Sequence, residues 1–141
     1  MRRVPLIAVI AALLTATATA TATAPKIYLP VSLAVNNGYA QHPESIGLVA
    51  DGTLGIQGIH WHRWGSSSTI GQGTFVVYHQ TSYKVIGRYR TPITSSDPTR
   101  AHSRLLYALI NISVSEAVQR SRDLPHELHY VLIGDSYSSN W

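Results

Sequence analysis

Apolar residues recur at every second position over several short stretches of this chain, as in strands that bury one face. Ile27, Leu29, Val31, Leu33 and Val35 alternate in this way. Pro30 lies among them and lacks a backbone donor, which predicts an edge strand. Asn36-Asn37-Gly38 then turns the chain. Ile46–Ala50 and Thr53–Ile56 flank Asp51-Gly52, a strong hairpin signal. Strands are predicted entering at Ile59, over Gly73–Gln80, and from Tyr83 to Ile93, where Lys84, Arg88 and Arg90 interleave with apolar residues. Ser96-Asp97-Pro98 predicts a turn. Leu105–Val114 is apolar on both faces and predicts a central strand. Leu128–Ile133 predicts the last strand, and Ser136–Trp141 a fraying tail. Only one helix has a case, starting from a Ser113–Glu116 capping box and ending near Arg122. The fold class expected is all-β, a small antiparallel sandwich or barrel with one short helix near 114–122.

The first 24 residues follow a different logic. Met-Arg-Arg precedes an apolar run from Val4 to Leu14, and Thr and Ala then alternate to Ala24. Charged start, apolar middle and small-residue end are the layout of a secretory signal peptide. The apolar run is shorter than the roughly 20 residues a membrane-spanning helix needs. An uncleaved anchor, lengthened by the Thr/Ala segment, is the alternative. Pro25 disfavours cleavage directly after Ala24, so processing is expected near residues 20–22. The expected organisation is a signal peptide over 1–24, one β domain over 25–135 and a flexible tail over 136–141. The expected location is outside the cell or at its envelope, with no stable membrane span after processing.

Charge and cysteine content narrow the picture. Removing Arg2 and Arg3 from the eleven Lys and Arg leaves nine against seven acids, a net of +2. That balance predicts no nucleic-acid partner. Lys84, Arg88, Arg90, Arg100 and Arg104 form a locally basic stretch with only Asp97 against them. It reads as a solvated face, with an anionic ligand site as the alternative. The absence of cysteine excludes disulfides, thiolate metal sites and a lipid anchor on an N-terminal Cys. A core of aliphatic and aromatic residues must therefore hold the domain.

The densest motif is Ile59-His60-Trp61-His62-Arg63-Trp64-Gly65, followed by small residues and by Gly71-Gln72-Gly73-Thr74-Phe75. Trp61 and Trp64 read first as core anchors, since large aromatics dominate small β cores. The alternative is an exposed platform for sugar rings, which would make a cell-wall or other carbohydrate the partner. Together with Pro43-Glu44-Ser45-Ile46, Asp51-Gly52 and Ser96-Asp97-Pro98, this pattern resembles a group of small secreted actinobacterial proteins. The resemblance covers about half the chain. It implies export and a compact β domain, and it supplies no catalytic residues. Members of that group often carry a cysteine pair after the G-x-G-T strand, where this chain has Tyr78-His-Gln-Thr-Ser-Tyr83.

Two further patterns suggest chemistry. His60 and His62 lie two apart, so both imidazoles of a strand would point the same way, as a pair of metal ligands requires. His79, His126, Glu127 or His129 would have to supply a third ligand. Surface histidines are the favoured reading, and no cofactor is expected. Val131-Leu-Ile-Gly-Asp-Ser136 resembles the nucleophile block of GDSL-type esterases. In those enzymes the catalytic domain follows this block, whereas here five residues follow Ser136. A serine without a base and oxyanion donors is inert. The seven acids are scattered, which disfavours a glycosidase pair. The function expected is a non-enzymatic binding or structural module. The alternatives are a hydrolase using Ser136 and a carbohydrate binder using Trp61 and Trp64.

Overall fold

The computed structural model describes residues 23–139 and 141. The expected signal peptide, apart from its last two residues, lies outside them. Nine strands and one helix occur among the described residues: β1 (Ile27–Ser32), β2 (Asn37–Ala40), β3 (Ser45–Gly47), β4 (Leu54–His62), β5 (Ser68–Tyr78), β6 (Val85–Ala101), β7 (Arg104–Ser113), α1 (Glu116–Arg122), β8 (Glu127–Ile133) and β9 (Ser136–Ser139). The fold is mostly β, as the alternating pattern predicts. The sheet runs β2-β1-β3-β4-β5-β6-β7-β8-β9, and a β1–β7 pairing closes six of these strands into a barrel. β2 extends the barrel beside β1, and β8 and β9 extend it beside β7.

Closure depends on the strand that begins the domain. β1 pairs parallel to β7 at Ile27 and Tyr28, antiparallel to β2 from Leu29 to Ser32, and parallel to β3 at Ser32. The expectation that Pro30 marks an edge is therefore wrong. Pro30 is buried and lies just past the point where β1 exchanges β7 for β2 as its neighbour. The missing donor falls near a break in the ladder, which is how an interior strand accommodates proline.

The barrel interior is filled by side chains, as in other small barrels. Ile27, Leu29, Ile46, Ile56, Phe75, Ile93, Tyr107, Ile110 and Ile112 are fully buried. Each such aliphatic or Phe side chain contributes about 1.5–3 kcal/mol by leaving water. Two glycines let this core close. A Cβ on Gly73 would sit 2.7 Å from Ile56 Cγ2, and one on Gly71 would sit 2.7 Å from Trp61 Cε3.

Three local expectations are corrected. Ser96-Asp97-Pro98 does not turn the chain; it lies inside β6, which keeps its pairing with β7 on both sides of Asp97. Asp97 adopts a left-handed conformation (φ 56°), and its N–H leaves the ladder to donate to Ser67 O at 3.1 Å. The chain reverses instead at His102-Ser103, both with positive φ, between the paired Ala101 and Arg104. Two such residues are what a tight hairpin requires.

The helix begins later than the capping box implies. Ser113 is held in β7 opposite Glu127, so the N-cap is Ser115, whose side chain makes no capping bond. Glu116 in the first turn and Arg120 and Arg122 in the last complement the helix dipole, and Val118 anchors the inner face. The tail is likewise not free, because Ser136–Ser139 pair with β8. Tyr137 is buried, its hydroxyl donates to Tyr107 O, and its N–H donates to Asn36 Oδ1 at 2.9 Å.

Candidate functional site

β4 carries most of the residues that suggested chemistry, and a bulge decides where they point. The register between β4 and β5 slips between Gln57 and His60, where Gly58 takes φ 60°. Glycine enters that conformation at little cost. Before the bulge Leu54 and Ile56 face the core; after it Ile59 does, with Trp61 packed against the same cluster. Inserting one residue restarts the alternation, so His60 and His62 both face solvent. No group of three potential metal ligands occurs among the described residues. His79, one of the possible third ligands, accepts the N–H groups of Thr81 and Ser82 on its Nδ1. His129 is engaged with Asn111 and Glu127.

The two tryptophans meet at one end of the barrel. Their rings stand edge to face at 5.0 Å, and Trp64 meets Tyr107 in the same manner at 5.3 Å. His42 lies 4.8 Å from Trp64. Trp61 Nε1 donates to Pro43 O at 2.9 Å and Trp64 Nε1 to Ile27 O at 3.2 Å. Both indoles are half-buried against the core, and both N–H groups are committed to backbone. The Tyr107 hydroxyl donates to Ser66 O and accepts from Gly65 N, which pins the β4–β5 loop over the same end. Burial pushes the Tyr107 phenol above its ordinary pKa, so it stays neutral. This geometry makes the pair a plug more than a platform.

Ser136 opens β9 opposite Ile133 and is exposed. The imidazole of His102 bonds through Nε2 to the carbonyl of the preceding Asp135. No hydrogen bond joins the Ser136 hydroxyl to a histidine among the described residues.

A different surface has the features of a binding groove. On the outside of β3 and β4, Gly47 and Gly55 pair across the strands and leave bare backbone as a floor. Ser45, Gln57, Tyr78 and Tyr83 supply the polar and aromatic lining of a groove of about 450 Å³, beside Ile46, Leu54 and Ile56. Gln57 Nε2 donates to the Tyr78 hydroxyl at 2.7 Å. Tyr83 is 58% exposed and held at φ 52°. An aromatic residue in that region costs about 1–3 kcal/mol and persists only where its surroundings enforce it. The enforcing contacts are Tyr83 N–H to His79 O at 3.0 Å, His79 N–H to Lys84 O at 2.8 Å and the two bonds to the His79 ring. Sequence reasoning does not find this groove. Its trace is the polar run 79–82 bounded by Tyr78 and Tyr83.

Set against protein families, curated proteins and solved structures, the chain finds no match.

Proposed function

We propose that the chain is an exported, non-enzymatic β-barrel module that binds its partner on the outer surface, outside the cell or at the envelope. The observation that carries this reading is the contrast between a filled interior and a preformed outer groove. Phe75, Tyr107 and the buried isoleucines fill the barrel with side chains, as in other small barrels. The groove beside Tyr83 is open to solvent and already ordered. Export is supported by the sequence of residues 1–24 alone.

The hydrolase reading finds little support in the position of Ser136. A nucleophilic serine needs a base within hydrogen-bond reach, and the carbonyl of Asp135 occupies the adjacent His102. The test is direct. Protein recovered from the culture medium should start after residue 20 or 22 and should release no product from ester substrates. Ester hydrolysis lost on Ser136→Ala would overturn the non-enzymatic reading. Retention in the cytoplasm of the intact chain would overturn export.

A further inference from the structure

We infer that the outer face of β3–β6 is a binding site for an acidic oligosaccharide, with a sugar ring on Tyr83 and an acid group between Arg88 and Arg90. The inference rests on reading the chain as a non-enzymatic binding module. Two neighbouring clefts carry it. The first is the tyrosine groove. Its polar groups are already oriented, because the Gln57 amide donates to the Tyr78 hydroxyl. That leaves the Tyr78 O–H as a donor and Gln57 Oε1 as an acceptor, neither with another partner among the described residues. A donor and an acceptor side by side suit the vicinal hydroxyls of a pyranose. The exposed Tyr83 ring supplies a flat apolar surface for its C–H face. Glycines at 47 and 55 let a ring approach the backbone closely.

The second cleft, of about 590 Å³, adjoins it and is lined by His60, Gln72, Thr74, Arg88 and Arg90. Cross-strand register puts the two side by side, since Gln57 pairs with Thr74 and Thr74 with Arg90. Paired residues share one face of a sheet, so Gln57, Thr74 and Arg90 form a row across β4, β5 and β6. That row spans two strand spacings, roughly 10 Å, which calls for a ligand longer than one sugar ring. No carboxylate lines either cleft. Neither Arg88 nor Arg90 forms a salt bridge among the described residues, and Arg90 is steadied by donating to the neutral Gln72 Oε1. Two guanidinium groups on one face without a counter-charge favour an anion, and their planar donors match a carboxylate or sulfate. A neutral glycan would leave that half of the surface unsatisfied. A polyanion without rings would leave Tyr83 unused.

The test is titration of the secreted protein with oligogalacturonate and hyaluronan hexasaccharides and with their carboxyl-reduced forms. At least one acidic probe should bind, and its reduced form about tenfold more weakly. Tyr83→Ala should weaken the acidic probe by about tenfold, while Tyr83→Phe keeps the ring and the affinity. Arg88→Gln with Arg90→Gln should bring the acidic probe down to the level of the reduced one and abolish its sensitivity to salt. All three residues changed here lie on the surface, so folding is checked by an unaltered melting temperature. No binding of either acidic probe, equal affinity for acidic and reduced forms, or full affinity in Tyr83→Ala would overturn the site. Shortened saccharides in the same mixtures would overturn the non-enzymatic reading instead.

Discussion

Trp64 donates its indole N–H to the carbonyl of Ile27, 37 residues earlier in the chain, across 3.2 Å. That carbonyl belongs to the first residue of β1, so the β4–β5 loop is tied to the strand that closes the barrel. Trp64→Phe should keep most of the packing against Trp61 and Tyr107 and lose the bond, at a cost of about 1 kcal/mol. Trp64→Ala should lose both, at about 3 kcal/mol. Urea denaturation separates the two, and equal losses would show that the bond contributes nothing.

Gly71 is opposed by Trp61, which stacks edge to face on Trp64. A methyl group there meets Trp61 Cε3 at 2.7 Å and Cζ3 at 2.8 Å. Gly71→Ala should destabilise by about 1–3 kcal/mol through overpacking. The loss should shrink in a Trp61→Leu background, where space has been made. A double-mutant cycle with no coupling would remove the close approach as the reason for glycine.

The C-terminal strand should prove structural. Tyr137→Ala removes a buried aromatic and its bond to Tyr107 O, and it should cost about 3–5 kcal/mol. A chain ending at Asp135 should melt lower by a similar amount. An unchanged melting temperature in both would return Ser136–Ser139 to the status of a tail.

Alkaline pH should weaken the fold. Burial raises the Tyr130 phenol to about 12 and pushes Tyr137 up as well. In the unfolded chain both ionise near pH 10. Their contribution is therefore complete below pH 10 and is lost as pH climbs toward 12. Each titrating phenol adds a slope of up to about 1.4 kcal/mol per pH unit. Denaturation midpoints between pH 8 and 12 should fall accordingly, and Tyr130→Phe with Tyr137→Phe should flatten the decline.

Metal should not matter to stability. His60 and His62 face solvent, and no third ligand joins them among the described residues. Melting temperatures should agree before and after treatment with EDTA. A fall on chelation would reveal a bound ion.

The β class was legible because burial of one sheet face writes a period of two into the sequence, and Asp51-Gly52 announced its hairpin. Thr53 confirms the turn by donating its N–H and hydroxyl to Asp51 Oδ1, at 2.9 and 2.7 Å, which holds that carboxyl below its ordinary pKa. Closure was not legible. Whether β1 ends in solvent or against β7 depends on pairing between distant segments, and Pro30 argued for the wrong outcome. The turn at His102-Ser103 lacked the usual glycine, while Ser96-Asp97-Pro98 carried turn residues without turning. The tyrosine groove was hidden for a related reason. Tyr83 looked like one member of an alternating strand, and only the contacts of His79 reveal that its backbone is twisted out of that strand.

The parallel seam between β1 and β7 sets the order of events in folding. Ile27 meets Leu105, 78 positions further on, before the ring is complete. Contacts of that sequence separation are slow to form, and β-rich folds built on them take milliseconds to seconds. A chain delivered N-terminus first thus presents β1 long before its partner arrives. Until residue 105 emerges the seam lacks one of its two sides, and the ring cannot close.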